Sequence, residues 1–218
     1  MKILALELSS ARGSIALLDP DRLCKLDGLK PSSSSGTQAG VYSCEWPNDR
    51  KNSGRFFEHL REVRKQCGKP DTIVVGLGPG SYAGTRIAIA TAIGLQAASK
   101  ARLIGYPSIC AIECDAPEYC VIGDARRNSF FYARICERNL AEGPTLMSEA
   151  ELRKKLAKLD KKMSIFTTEK LPQFEPAELR YPAAKMLAQL ATDRKRKFPE
   201  PPLEPIYLRE PHITIPKK

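Results

Sequence analysis

Four glycines, at 76, 78, 80 and 84, fall between a β-branched apolar run, Ile73 to Val75, and a long stretch of small and aliphatic residues. A strand that feeds a glycine-rich turn into a helix N-terminus brings backbone very close either to a phosphate or to another chain. Three phosphate chemistries can be tested on the letters. A P-loop needs a lysine after its last glycine, and none follows here. Gly78-Pro79-Gly80-Ser81-Tyr82-Ala83 fits a loose dinucleotide fingerprint, but Ser99, Lys100 and Arg102 stand where the acidic ribose ligand is expected. A kinase-type loop needs a strand after it, whereas the residues that follow are helical in character. A tight turn with no ligand remains equally open.

Metal and thiol chemistry find less support. The seven cysteines, at 24, 44, 67, 110, 114, 120 and 136, form no C-x-x-C. Cys110 and Cys114 have neither a second pair nor a nearby histidine to complete a zinc site. They read as reduced thiols acting as small hydrophobes. Charge is uneven: the first 125 residues balance at +2 and the remainder at +8. A basic second half suits an RNA-bearing complex. The densest clusters, 153–155, 161–162 and 194–197, have few aromatics among them, and single-strand stacking requires aromatics. Met1-Lys2 leads straight into Ile-Leu-Ala-Leu, with no room for a signal-peptide core, and no apolar run approaches a membrane span. A cytoplasmic location is expected.

The elements that position these residues follow from periodicity. Residues 3–9 and 14–19 form a hairpin, with 22–29 a possible third strand, a Pro/Ser-rich loop over 31–36 and a strand over 41–46. A helix over 55–67 carries the stripe Phe56, Leu60, Val63, Cys67. The Gly-turn strand, a helix over 83–99 and a strand over 103–106 follow. That second helix is apolar nearly all round, the mark either of a core helix or of one shared between its sheet and a partner. Beyond it come a helix from Pro107 to about Cys114 and a second hairpin, 119–124 with 129–136. A helix over 148–159 has Ser148 and Glu151 in capping-box spacing. A strand over 164–168, a helix over 182–192 and an extended proline-punctuated tail complete the chain. The result is α/β: two mixed-sheet subdomains, 1–106 and 107–218, each opening with a hairpin.

MKILALELSSARGSIALLD, VVGLGPGSYAGTRIAIATAIGLQAA, VIGDARRNSFFYARI and PIYLREPHI occur in that order. Together they resemble the TsaB (YeaZ) family, bacterial partner proteins in threonylcarbamoyladenosine synthesis on tRNA. GPGSYAGTR is the specific part. The resemblance implies the acetokinase, Hsp70 and actin-like (ASKHA) fold. It also implies a non-catalytic scaffold that pairs with a TsaD-like catalytic subunit, is joined by a TsaE-like ATPase, and meets tRNA only through the complex. The alternative is a small ATP-dependent phosphotransferase or hydrolase of the same superfamily.

The superfamily's phosphate-loop positions fall on Glu7, Ser9, Gly13, Gly78, Gly80 and Ser81, and several are altered. Glutamate at 7 replaces an aspartate, the second turn, 124–128, is bulky and cationic, and no glycine follows Gly143. No cofactor is therefore expected. The catalytic subunit's paired metal-binding histidines are not matched: His59 has Arg55 and Val63 four residues either side, so no metal is expected and His59 reads as a surface or interface residue. The family pairs through its first two helices. The resemblance therefore assigns partner binding to Phe56, Phe57, Leu60 and Val63 on the first, and to Arg86, Ile87, Ala90, Ile93, Gly94 and Ala97 on the second. A homodimer is expected when the chain is alone.

Overall fold

In the computed structural model the described residues are 1–19, 40–48, 53–175 and 177–209. The possible strand over 22–29 and the loop over 31–36 lie outside them.

Strands β1 (Ile3–Glu7), β2 (Arg12–Leu18), β3 (Val41–Pro47), β4 (Thr72–Gly76) and β5 (Arg102–Tyr106) form one sheet, in the order β3-β2-β1-β4-β5. β1 runs antiparallel to β2 and parallel to β4. A second sheet is built from β6 (Glu118–Asp124), β7 (Ser129–Cys136), β8 (Asn139–Ser148), β9 (Ser164–Thr167) and β10 (Glu178–Leu179). Its order, β10-β9-β6-β7-β8, repeats the first sheet's topology read from the other edge. Each sheet is a meander of three strands extended by parallel crossovers.

Alternation along β1 decides the layers. Leu4 and Leu6 face one side with Ile15, Leu17, Ile73 and Val75, and there they meet helices α1 (Ser53–Cys67) and α2 (Tyr82–Ser99). Ile3 and Ala5 face the other side and join Tyr119, Val121, Phe131 and Phe166 of the second sheet. Between the sheets lie α4 (Ala184–Leu190) and a single 3-10 turn, Ser108–Ala111. Helix α3 (Glu149–Leu156) covers the far face of the second sheet through Leu152. Its capping box is present: the Ser148 hydroxyl accepts from the Glu151 amide at 3.3 Å, and the Glu151 carboxylate accepts from the Ser148 amide at 2.7 Å.

Two expectations change. The helix over 107–114 is one 3-10 turn, because Ile112 is extended and bridges to Pro182. Strand β8 appears in a stretch whose mostly exposed residues show no alternation. The halves 1–106 and 107–218 are also joined by contacts that the sequence does not announce. α4 returns to pack on β1, β2 and β4, and the tail pairs with the first sheet through Gly105 N to Pro199 O and Ile206 N to Leu77 O, both 2.8 Å. Among the described residues no helix is long and apolar enough to cross a membrane.

Candidate interaction surface beside a sealed glycine turn

The glycine turn runs from the end of β4 into α2, whose first turn is capped by the Ser81 hydroxyl accepting from the Gly84 amide at 3.2 Å. Its glycines are explained by what presses on them. A Cβ on Gly80 would stand 2.0 Å from the Ser9 carbonyl oxygen, and one on Gly84 2.0 Å from that of Leu8. A Cβ on Gly76 would stand 1.8 Å from Glu7 Oε2. Gly78 also has φ +85°, which favours glycine. The turn is then stitched down: Ser81 N donates to Ser9 O at 2.6 Å, and Gly78 N to the Ser108 hydroxyl at 2.9 Å. The close approach is therefore to this chain's own first hairpin. The backbone of Gly80 and Gly84 thus packs directly on the Ser9 and Leu8 carbonyl oxygens.

Of the phosphate-loop positions, Glu7 and Ser9 are buried beneath this turn. Glu7 Oε1 accepts from the Ser9 amide at 2.6 Å. Oε2 lies against Gly76 beside the Ser108 hydroxyl, with no well-formed hydrogen bond among the described residues. Burial pushes the Glu7 carboxyl above its ordinary range, and the neighbouring Ser9 and Ser108 groups offset this only in part. Gly13 serves packing instead, since a Cβ there would stand 2.7 Å from the Trp46 ring. In the second hairpin turn Arg126, Arg127 and Asn128 are all left-handed, with φ of 65°, 53° and 55°. Asp124 steadies it by accepting from the Arg126 amide at 2.6 Å.

The two helices expected to bind a partner differ. Phe56, Leu60 and Val63 of α1 are 1%, 6% and 2% exposed and belong to the core against β1 and β2. This corrects their assignment to a contact surface: the stripe is the side on which α1 meets its sheet. Phe57 alone of the four is exposed. The rest of the outer face carries Arg55, Glu58, Arg61, Arg64 and Lys65. His59 is half-buried with its ring 4.9 Å from that of Trp46, and burial lowers its pKa.

In α2 the sheet takes Gly84, Thr85, Ala88, Ile89, Ala92 and Leu95. Arg86, Ile87, Ala90, Ile93, Gly94 and Ala97 all lie on the opposite, exposed face. Ile87 is 36% and Ile93 48% exposed, and nothing lies within 4 Å of a Cβ built on Gly94. The result is a shallow apolar face with no cover from the described residues. Sequence reasoning missed Tyr82 and Tyr207, both exposed. Their ring centroids stand 5.4 Å apart beside this face, although 125 residues separate them in the chain. Among the described residues no group of three or more His, Cys, Asp or Glu is placed to hold a metal ion.

The family model for TsaD, tRNA N6-adenosine threonylcarbamoyltransferase, matches residues 56–213. Uncharacterized proteins of Mycobacterium tuberculosis H37Rv and Mycobacterium bovis are 30% identical over 146 residues, which is 65% of this chain and 65% of each of theirs. Among solved structures, YeaZ from Pseudomonas aeruginosa superposes with a TM-score of 0.68 at 20% identity, covering 95% of this chain and 99% of its own. A Pseudomonas aeruginosa protein with similarity to peptidase YeaZ gives 0.69 at the same identity and coverage. The chain therefore belongs to the TsaD family and has the two-sheet, actin-like α/β fold of YeaZ.

Proposed function

We propose that this chain is a non-catalytic scaffold and activator subunit in tRNA modification. It pairs through the outer face of α2 with a TsaD-like catalytic subunit, and a TsaE-like ATPase joins the pair. The catalytic subunit then transfers a threonylcarbamoyl group to the adenosine next to the anticodon. In isolation the same face pairs with a second copy of this chain.

The observation that carries this reading is the contrast at α2. Its sheet side and its outer side are built from the same small and aliphatic residues, yet Ile87, Ala90, Ile93, Gly94 and Ala97 have no cover from the described residues. Small residues let a partner helix approach closely, and the aliphatic ones supply area to bury. The sealed turn favours a scaffold over an ATP-dependent phosphotransferase, because its glycines accommodate the Leu8 and Ser9 carbonyls of this chain's own hairpin.

The test is co-expression with the same organism's TsaD-like subunit, followed by a tRNA modification assay with and without this chain. Co-elution together with dependent activity supports the scaffold. Full activity of the catalytic subunit without this chain, and no co-elution, sinks it. Micromolar Mg-ATP binding to the isolated chain (about −8 kcal/mol) would favour the phosphotransferase.

A further inference from the structure

Beside the apolar face of α2 the fold assembles a group that no stretch of sequence contains. Tyr82, at the first turn of α2, lies 5.4 Å from Tyr207 in the C-terminal segment, the rings inclined by 33°. They are 50% and 43% exposed. Arg86, one helical turn on, stacks its guanidinium 5.0 Å from the Tyr82 centroid and hydrogen-bonds the Tyr82 hydroxyl. Two residues past Tyr207, Arg209 reaches the second hairpin turn and donates to the Arg126 carbonyl at 3.3 Å. That turn holds Arg126 and Arg127 exposed in left-handed backbone, a conformation unfavourable for non-glycine residues. Aromatic rings at the centre thus continue into exposed guanidinium groups at both ends. Among the described residues the acids close by are Asp124, bridged to Arg126 at 3.1 Å, Glu169, which accepts from the Asp124 amide at 2.8 Å, and Glu204, against four arginines at 86, 126, 127 and 209.

The geometry points to this ridge as a binding surface for single-stranded RNA, in direct contact with this chain. Each part matches one need of that ligand. Exposed, tilted rings offer stacking surface to unstacked bases whatever their sequence. Arginines at both ends meet the phosphates on either side, and Arg86 offers a second planar face beside the rings. A polyanion also meets Arg127, exposed in the turn and in no ion pair among the described residues. The inference extends the proposed tRNA role but does not depend on it, because the RNA contact needs no catalytic subunit.

The test is fluorescence anisotropy of the full chain with a fluorescein-labelled 12-nucleotide single-stranded RNA of mixed sequence, and with a 12-base-pair RNA duplex for comparison. Binding to the single strand, tighter than to the duplex, is expected. Tyr82→Ala with Tyr207→Ala should weaken it on the order of tenfold or more. Arg127→Ser, an exposed change that leaves the fold intact, should lower the slope of log K against log salt by about 0.7. A Lys161→Ser, Lys162→Ser variant, away from the ridge, should bind as wild type.

Equal binding by the tyrosine variant overturns the proposal, as does an Arg127→Ser slope no different from wild type. So does a tyrosine variant that binds RNA normally but no longer pairs with the catalytic subunit, since the ridge would then be a protein contact. Loss of RNA binding with intact pairing supports the ridge, and loss of pairing by α2-face variants is read separately by gel filtration.

Discussion

Helices α1 and α2 lie on the same face of the same sheet and contribute to one core, yet their outer faces are opposites. α1 buries Phe56, Leu60 and Val63 and turns Arg55, Glu58, Arg61, Arg64 and Lys65 outward, with Phe57 the exposed exception. α2 buries Ala88, Ile89, Ala92 and Leu95 and turns Ile87, Ala90, Ile93, Gly94 and Ala97 outward. An apolar stripe with charges behind it describes a helix finished by its own fold. An apolar stripe with another apolar face behind it describes a helix that still has surface to bury. In this fold the charge pattern on the outer face, more than the hydrophobic stripe itself, separates a core helix from a docking helix.

The largest effect should come from removing the core side of α1. Phe56→Ala should lower unfolding stability by about 3–5 kcal/mol, read by urea titration, and weaken pairing only as far as unfolding does. A loss under 1 kcal/mol would mean α1 is not packed as described. Next is the outer face of α2. Ala90→Glu should weaken self-pairing by about a hundredfold or more, since the charge would be buried without a partner. Stability should change within about 0.5 kcal/mol. A variant that still elutes as a dimer on gel filtration would place the contact elsewhere.

The third prediction concerns the sealed turn from which α2 starts. Glu7 is buried, and its folded pKa is raised above the ordinary 4.5. Between those two values the folded state holds a proton that the unfolded state has lost. The contribution of Glu7 is therefore full below pH 4.5 and lost as pH rises through the raised folded value. Wild-type stability should fall across that window, and Glu7→Gln should flatten the fall and be the more stable at neutral pH. Identical pH profiles for the two would show that Glu7 is not a strained acid. The smallest effect belongs to Phe57→Ala, expected within about 0.5 kcal/mol in stability and without consequence for pairing. A large loss of pairing there would restore α1 to the contact.

Much of this could be read from letters because the signals were local. The strand, glycines and helix over 71–99 announce themselves by composition, and Ser148 with Glu151 by spacing. Strand β8 was illegible because an edge strand with exposed residues, interrupted by Gly143-Pro144, has no alternation to read. The return of α4 to the first sheet depends on contacts such as Ala184 N to the Ser14 hydroxyl, 170 residues apart. The glycines' purpose was equally hidden: spacing shows that backbone comes close, not that Leu8 and Ser9 carbonyls are what it comes close to. Periodicity likewise found the Phe56, Leu60, Val63 stripe but not which body it meets.

The most direct test replaces one residue on each outer face and asks which one matters. Wild type, Gly94→Glu on α2 and Arg61→Glu on α1 would each be co-expressed with the TsaD-like subunit and passed through gel filtration with light scattering. Gly94→Glu should leave two separate monomers, with a melting temperature no lower than wild type because glycine is about 1 kcal/mol unfavourable within a helix. Arg61→Glu should still elute as the pair. Pairing that survives Gly94→Glu, or is lost only with Arg61→Glu, would contradict the assignment of the outer face of α2 as the partner surface.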